Sequence, residues 1–389
     1  MAVYITALVL MIGCVLLTYY PKRYRSPLKD KICFAFSGGI LTFISALRFN
    51  VGFDYPAYKE LFEKVVKTVD ERLFSDAGTK VGAAATEKGY LLIERILADF
   101  TGEFSWLFAV TSVIFMTLVC VWLWNNSKYP TVGLVFFLVF GYYFSSLCFI
   151  RNMLAVAVFL YAVRYAKEGR FLRYLALVLL ASTFHFSALF LILLYPFLRL
   201  PLNYVTLAIY TGGLVVALLN SEKIIDFISA HVYIVYISTS TEMRMGLPAI
   251  FPILLVCVFI AAFLFRKKLR AADPNADICL KLLYFTAFFE IIGAKHALIS
   301  RFALYCAIPA LCVLVPLLLH ELLVQFDYAS YKANGVISTS SGKAAALIAV
   351  VCVAAVLFFA FTLNNESKGI SGNGVLPYDW ISTYNHGDV

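Results

Sequence analysis

Apolar residues fill this chain in long runs, at about 2–19, 31–48, 103–124, 131–150, 152–167, 204–220, 248–265, 277–293, 301–319 and 344–363. Most come close to the ~20 residues that carry a helix across a ~30 Å hydrocarbon layer. Lipid offers no partner to a backbone N–H or C=O, so continuous apolar runs of this kind must satisfy their own backbone as helices. Only 14% of the 389 residues are charged, against roughly 25% in soluble domains. The reading is an all-α polytopic integral membrane protein, a single membrane domain over 1–389. The opening "MAVYITALVLMIGCVLLTYY" has no basic leader and no small-residue cleavage site. It reads as a first transmembrane helix and not as a cleaved signal.

The stretch 171–201, "FLRYLALVLLASTFHFSALFLILLYPFLRLP", is too long for one untilted span and short for two. Charge decides between them. The densest basic loops are "PKRYRSPLKDK" (21–31), "VRYAKEGRFLR" (163–173) and "FRKKLR" (265–270), and the positive-inside rule places all three in the cytoplasm. For 248–265 to run inward to its basic end, 204–220 must run outward, so 171–201 must return to the side it left. It is therefore expected as two short helices of ~14 residues, ~21 Å each, meeting at a buried turn around "STFHFSA", with a single kinked helix as the alternative. Ser187 is the expected cap of the second helix, and His185 sits at the turn. The count is about twelve spans (10–12) with both termini outside.

External segments are then 49–102, 221–247 and the tail 364–389, and 321–343 is a cytoplasmic loop. Residues 56–74 carry Leu61, Phe62, Val65, Val66, Val69 and Leu73 at helical spacing, with Glu60/Lys64 and Glu63/Lys67 four apart. They read as an external amphipathic helix. The segment 87–100 is too short and too charged to span and is expected at the interface. The net charge of +9 sits in short loops and at span ends, which argues for topology and against nucleic acid. The nine cysteines lie in or beside apolar runs without metal or disulfide spacing. They read as small buried hydrophobes, and no metal or cofactor is expected.

This topology gathers rare polar residues at one level. Arg48 ends the second span, with Asp54, Tyr55 and Tyr58 close behind. Arg151 lies between spans four and five, and His185 lies in the turn. Lys295, His296 and Arg301 lie between spans nine and ten, with Tyr305 one turn further on. Each also has a plain reading. Arg48 and Arg301 suit snorkelling helix ends, Asp54 an N-cap, and Glu87 a first-turn acid favoured by the helix dipole. Tyr305 suits aromatic packing, and His185 a hydrogen-bonded core histidine. Three arginines, an acid and a histidine on one face exceed what anchoring needs, because ionisable groups at this depth are costly. Arginine offers a planar, permanently charged fork for phosphate. A cluster of them beneath the headgroups suits a lipid-linked phosphate or diphosphate, with an acid or histidine to deprotonate an acceptor hydroxyl.

At these residues the chain resembles the EpsG/Wzy family of bacterial polysaccharide polymerases. "RFNVGFDYPAY" is similar to that family's R-x-x-x-G-x-D-Y-x-x-Y signature. The stretch from "FIRNMLA" to "STFHFSA" resembles its second block, with Asn152 where Gln is commoner. "SRFALY" and the closing "VLPYDW" resemble two later blocks. The resemblance implies an enzyme that joins oligosaccharide units carried on undecaprenyl pyrophosphate. The reaction would take place at the outer face of the bacterial inner membrane, in O-antigen, capsule or exopolysaccharide synthesis. It places Arg48, Gly52, Asp54, Tyr55, Tyr58, Arg151, His185, Arg301 and Tyr305 on the family pattern. Arg151 and Arg301, with Arg48 behind them, are expected to hold the donor diphosphate, and Asp54 or His185 to act as base. Tyr55, Tyr58, Tyr305, Glu87, Lys295 and His296 are expected to contact substrate. Expected partners are membrane lipids, the lipid-linked oligosaccharide and a chain-length regulator and flippase of the same pathway. Two other classes stay open: a flippase for the same lipid-linked sugar, and a membrane O-acyltransferase with His185 as base.

Overall fold

The computed structural model describes residues 1–19, 26–67, 87–223, 250–294, 297–326, 342–369 and 373–380. In chain order the elements are α1 (Ala2–Tyr19), α2 (Pro27–Ala46), β1 (Arg48–Phe49), α3 (Tyr55–Lys67), α4 (Lys88–Phe100), α5 (Ser105–Asn126), α6 (Pro130–Val139) and α7 (Tyr142–Cys148). After these come α8 (Ile150–Glu168), α9 (Phe171–Ser182), a 3₁₀ turn (Phe186–Phe190), α10 (Leu191–Arg199), α11 (Tyr204–Leu219) and α12 (Ile250–Leu264). The last are α13 (Arg266–Ala272), α14 (Ala276–Gly293), α15 (Ala297–Ala307), a π-helical stretch (Ile308–Leu314), α16 (Val315–Phe326), α17 (Gly342–Ser367) and β2 (Asp379–Trp380). The all-α membrane architecture read from the sequence stands. Ala2–Tyr19, Ser105–Asn126, Ile299–Gln325 and Ala349–Ser367 are each long and apolar enough to cross a membrane, and the bent pair α6–α7 makes up to five candidate spans among the described residues. Further apolar helices of 10–17 residues, α9, the 3₁₀–α10 unit, α11 and α12, fall short of the ~20 residues a straight span needs.

Burial orders the bundle. Helix α14 and the helices α8 and α15–α16 bury side chains around their whole circumference, as apolar helices do at the centre of a bundle. Helix α11 buries only Tyr210 and leaves Val205, Ile209, Val216 and Leu219 exposed, the surface expected of a helix facing lipid.

Two ends are distinct. At one, Lys167 Nζ donates to Asn275 Oδ1 at 2.8 Å, Arg199 donates to the Lys167 carbonyl at 2.9 Å, and Lys268 Nζ reaches Gln325 at 3.1 Å. This is the end of the basic loops. At the other, the α2–α3 connection, the first turns of α4 and α8 and the 183–187 turn converge, as described below.

The stretch 171–201 is the hairpin that the charge argument required. Helix α9 runs away from the basic end, and α10 brings Arg199 back to it. Across the pair the Tyr174 hydroxyl donates to the Leu191 carbonyl at 2.5 Å, and the Phe171 and Tyr195 rings lie 4.9 Å apart. The cap differs from expectation. The second arm opens with a 3₁₀ turn, His185 takes the N-cap place in extended backbone with no side-chain cap, and Ser187 lies inside the turn.

Other departures have local causes. The run 131–150 reads as one span but bends by 66° between α6 and α7, where Gly141 adopts φ +79°, a conformation that side chains resist. The run expected at 301–319 extends to Phe326, and within it Pro309 is accommodated in π-helical backbone and does not end the helix. This takes the start of the expected 321–343 loop into helix, and its last two residues already belong to α17; residues 327–341, the segment 224–249 and residues 68–86 lie outside the described residues. In α3, Tyr55, Tyr58, Phe62 and Val65 form the buried face. Glu60 pairs with Lys64, while Glu63 pairs with Lys59, and not with Lys67.

The tail closes the structure. Residues 373–380 return to the α2–α3 connection, where β2 pairs antiparallel with β1 and places Arg48 opposite Trp380. The Gly52 and Phe53 N–H groups donate to the Gly374 and Asn373 carbonyls at 2.9 and 2.7 Å. Glu366, at the end of α17, accepts from Asn373 Nδ2 and the Val375 N–H. Gly52 has φ +112°, and a Cβ there would lie 2.5 Å from the Leu147 carbonyl oxygen. Gly52→Ala should therefore cost ~1–3 kcal/mol, read as a lower thermal midpoint in detergent. Gly13→Ala in α1, with nothing within 4 Å, should be neutral or slightly stabilising.

Candidate active site

The chain turns sharply after β1. Gly52 allows the turn, the Asp54 carbonyl accepts from the Tyr58 N–H at 3.0 Å, and α3 begins. Tyr55 stacks face to face on Phe108 with centroids 4.0 Å apart. Tyr58 points the other way, and its hydroxyl oxygen accepts the Arg151 N–H at 3.5 Å. The first turn of α8 is thereby tied to α3.

A third piece of chain meets them at Glu87, the N-cap of α4. Its carboxylate makes no cap hydrogen bond and is spent on tertiary partners. Oε2 accepts from Arg151 Nη1 at 2.7 Å. Oε1 faces His185 Nδ1 at 2.9 Å and the Phe186 N–H at 3.2 Å. A carboxylate only accepts, so Nδ1 carries a proton and Nε2 is the ring nitrogen turned away from Glu87. The three side chains are 14%, 17% and 13% exposed for Glu87, Arg151 and His185. Gly89 makes the approach possible. Its N–H donates to the Thr183 carbonyl at 2.8 Å, and a Cβ there would sit 2.4 Å from Thr183 Oγ1.

Arg301, at the start of α15, lies with its guanidinium carbon 4.7 Å from the Phe149 ring centroid. Asp54 sits within the field of Arg301 and Arg151. Burial raises its carboxyl above the ordinary range, and the two arginines pull against that rise. Burial also acts on Glu87, but the hydrogen bond from His185 and the Arg151 charge outweigh it and hold that carboxyl at about 2.

Glu87, Arg151, His185, Asp54, Tyr58 and Arg301 thus belong to one neighbourhood. The other sequence candidates are placed differently. Arg48 lies beneath this face and is only 1% exposed. Its guanidinium folds back to donate to the Ser45 carbonyl and to Ser112 Oγ, because α2 ends at Ala46 with carbonyls to satisfy. Tyr305 is fully buried, its hydroxyl 3.0 Å from Ser187 Oγ; it holds the turn that carries His185. Tyr55 is also packed inside, at 3% exposure. Lys295 and His296 lie outside the described residues.

One group near the site was not singled out in the sequence. Glu94, two turns along α4 from Glu87, is fully buried beside the Tyr90 hydroxyl. Burial drives its carboxyl up to about 8, against the pull of Arg151 and the Tyr90 hydroxyl. Only the helical i, i+4 step from Tyr90, which lines the same buried face, hints at it in the sequence.

The two glutamates set opposite pH dependences. Between an ordinary carboxyl value near ~4.3 and about 8, the unfolded chain has released a proton that folded Glu94 keeps. Stability therefore falls as pH rises through that window. Glu87 contributes stability above the ordinary value that is lost as pH falls toward about 2. The thermal midpoint in detergent should decline from pH 5 to pH 8, and Glu94→Gln, shaped like the neutral acid, should flatten that decline. An undiminished decline in Glu94→Gln would assign it to another group.

The family model for the EpsG family matches residues 31–380, a span that contains every site residue described above. Among curated proteins and among solved structures, no match to the chain was found. With that match over most of its length, the chain belongs to the EpsG family, the family of Wzy-type polysaccharide polymerases.

Proposed function

We propose that the chain joins oligosaccharide units carried on undecaprenyl pyrophosphate, at the outer face of a bacterial inner membrane, as a glycosyltransferase. The observation that carries this reading is the Glu87 carboxylate bridging His185 Nδ1 and Arg151 Nη1. It sets an imidazole beside a guanidinium in a mostly buried place. His185 Nε2 takes the proton of an acceptor sugar hydroxyl. The hydroxyl oxygen forms a bond to the donor's anomeric carbon, and the bond from that carbon to the diphosphate oxygen breaks. The diphosphate leaves with the electron pair. Arg151 and Arg301 bind the charge that grows on it, an interaction worth most where it strengthens in the transition state. Asp54 lies in the field of both arginines and positions them when no diphosphate is bound. The histidine, with an acid already holding its Nδ1 proton, is the better base than Asp54.

The orientation belongs to the same proposal. The basic end of the bundle is cytoplasmic, 49–102, 221–247 and the tail 364–389 are external, and the helices together make about twelve crossings. A chain-length regulator and a flippase of the same pathway are the partners this reading expects.

In cells lacking the native gene, the length ladder of the surface polysaccharide should report each variant at equal membrane abundance. His185→Gln keeps a hydrogen-bonding side chain without a base and should lower transfer ~10²–10⁴-fold. Arg151→Lys keeps charge without the fork and should slow transfer roughly 10–150-fold, and Arg151→Ala should abolish the ladder. A normal ladder in Arg151→Ala would overturn the diphosphate role. Cysteines placed singly at Lys59 and Asn203 in a cysteine-free background should differ toward an impermeant thiol reagent. Residue 59 should label from outside and 203 should not.

A further inference from the structure

Beneath the active face, Arg48 raises a separate question. Its guanidinium is 1% exposed, and the titratable groups acting on it are Tyr143, Tyr55, Tyr4 and Tyr378, none of them a carboxylate. Only Nη1 is hydrogen-bonded, to the Ser45 carbonyl and to Ser112 Oγ at 2.8 Å. Nε and Nη2 have no hydrogen-bond partner. A buried cation without a counter-charge is strongly destabilising, and each buried donor left unmade adds to that.

The same guanidinium lines a small cavity between α2, α5, α7 and α8, together with Ser45, Thr111, Ser112 and Ser146. Three of these hydroxyls are already spent as donors on backbone carbonyls: Ser45 on Leu41, Thr111 on Leu107 and Ser146 on Tyr143. Ser112 is different. Its oxygen accepts from Arg48, so its own proton remains to be given. The donors left over among the polar lining residues are therefore Arg48 Nε and Nη2 and the Ser112 hydroxyl proton, with net positive charge. The lining residues are all less than a tenth exposed, and the space suits about one water-sized occupant, too small for a sulfate or phosphate.

We propose that this cavity is a structural binding site for a halide, chloride in the cell, held by Arg48 Nε and Nη2 and by the Ser112 hydroxyl. A monatomic anion accepts from every donor present, asks for none in return and cancels the buried charge. It joins the end of α2 to α5 and α8, directly below the segment that carries Gly52 and Asp54. It takes no part in glycosyl transfer.

Thermal midpoints of the purified protein in detergent, with chloride exchanged for gluconate at constant ionic strength and pH, test this. Chloride should raise the midpoint saturably, and bromide should substitute. Crystals grown in bromide should show anomalous scattering beside Arg48 Nη2. Arg48→Ala removes the whole centre and is liable not to fold, so Ser112→Ala is the diagnostic variant. It should fold in gluconate and need about tenfold more chloride or beyond for the same stabilisation, since a hydrogen bond to a charged group is lost. Equal midpoints in chloride and gluconate, or a bromide response unchanged in Ser112→Ala, would overturn the proposal, as would a water without anomalous signal beside Arg48.

Discussion

The Glu87 carboxylate is the contact on which the face of this protein depends. Its partners lie 64 and 98 residues away in sequence, on α8 and on the turn after α9. Both of its oxygens are engaged, one by a guanidinium and one by an imidazole and a backbone N–H. Removing one member of such a partly buried set leaves the others with unmatched charge or unmade hydrogen bonds, which costs more than the set contributes as a whole. The arrangement is thus a device for position more than for stability. It fixes the orientation of the imidazole and the direction of the guanidinium.

Such a device requires irregular backbone, and irregular backbone is expensive at membrane depth unless protein surrounds it. The structure provides that surrounding at each break. Gly52 turns against the Leu147 carbonyl and receives the tail across its N–H. The break after α9 is covered by the first turn of α4 at Gly89 and by the Tyr305 hydroxyl on Ser187. The tail supplies Tyr378, whose hydroxyl donates to the Ile44 carbonyl at the end of α2, and Trp380, whose ring lies 5.7 Å from Phe43. Rigid helices thus end at this cluster, and neighbouring segments satisfy the polar groups set free there.

How much of this was legible in the sequence follows from what linear pattern can report. Hydropathy marks helices because the rule is local: a continuous apolar run has to be a helix in lipid. The helical placement of most runs was therefore readable, and so was the return of 171–201, because the basic residues at its two ends belong on one side. The bend at Gly141 was not. A glycine in an apolar run is compatible with a straight helix, and only packing shows which conformation it takes.

The site divides along the same line. By itself the sequence determined a helical membrane protein, and span parity with charge led to the expectation that arginines, an acid and a histidine lie at one end of it. Only the tertiary structure decided what each side chain touches. Glu87 read as an acid favoured by a helix dipole and is the hub between Arg151 and His185. Arg48 read as a residue of the face and lies under it, its fork turned back onto Ser45 and Ser112. Tyr305 read as a substrate contact and holds a turn. The physical reason is common to all three. A long polar side chain can reach in several directions from the same backbone position. The direction it takes is set by which donors and acceptors the fold leaves unpaired nearby, and those come from segments that only folding brings together.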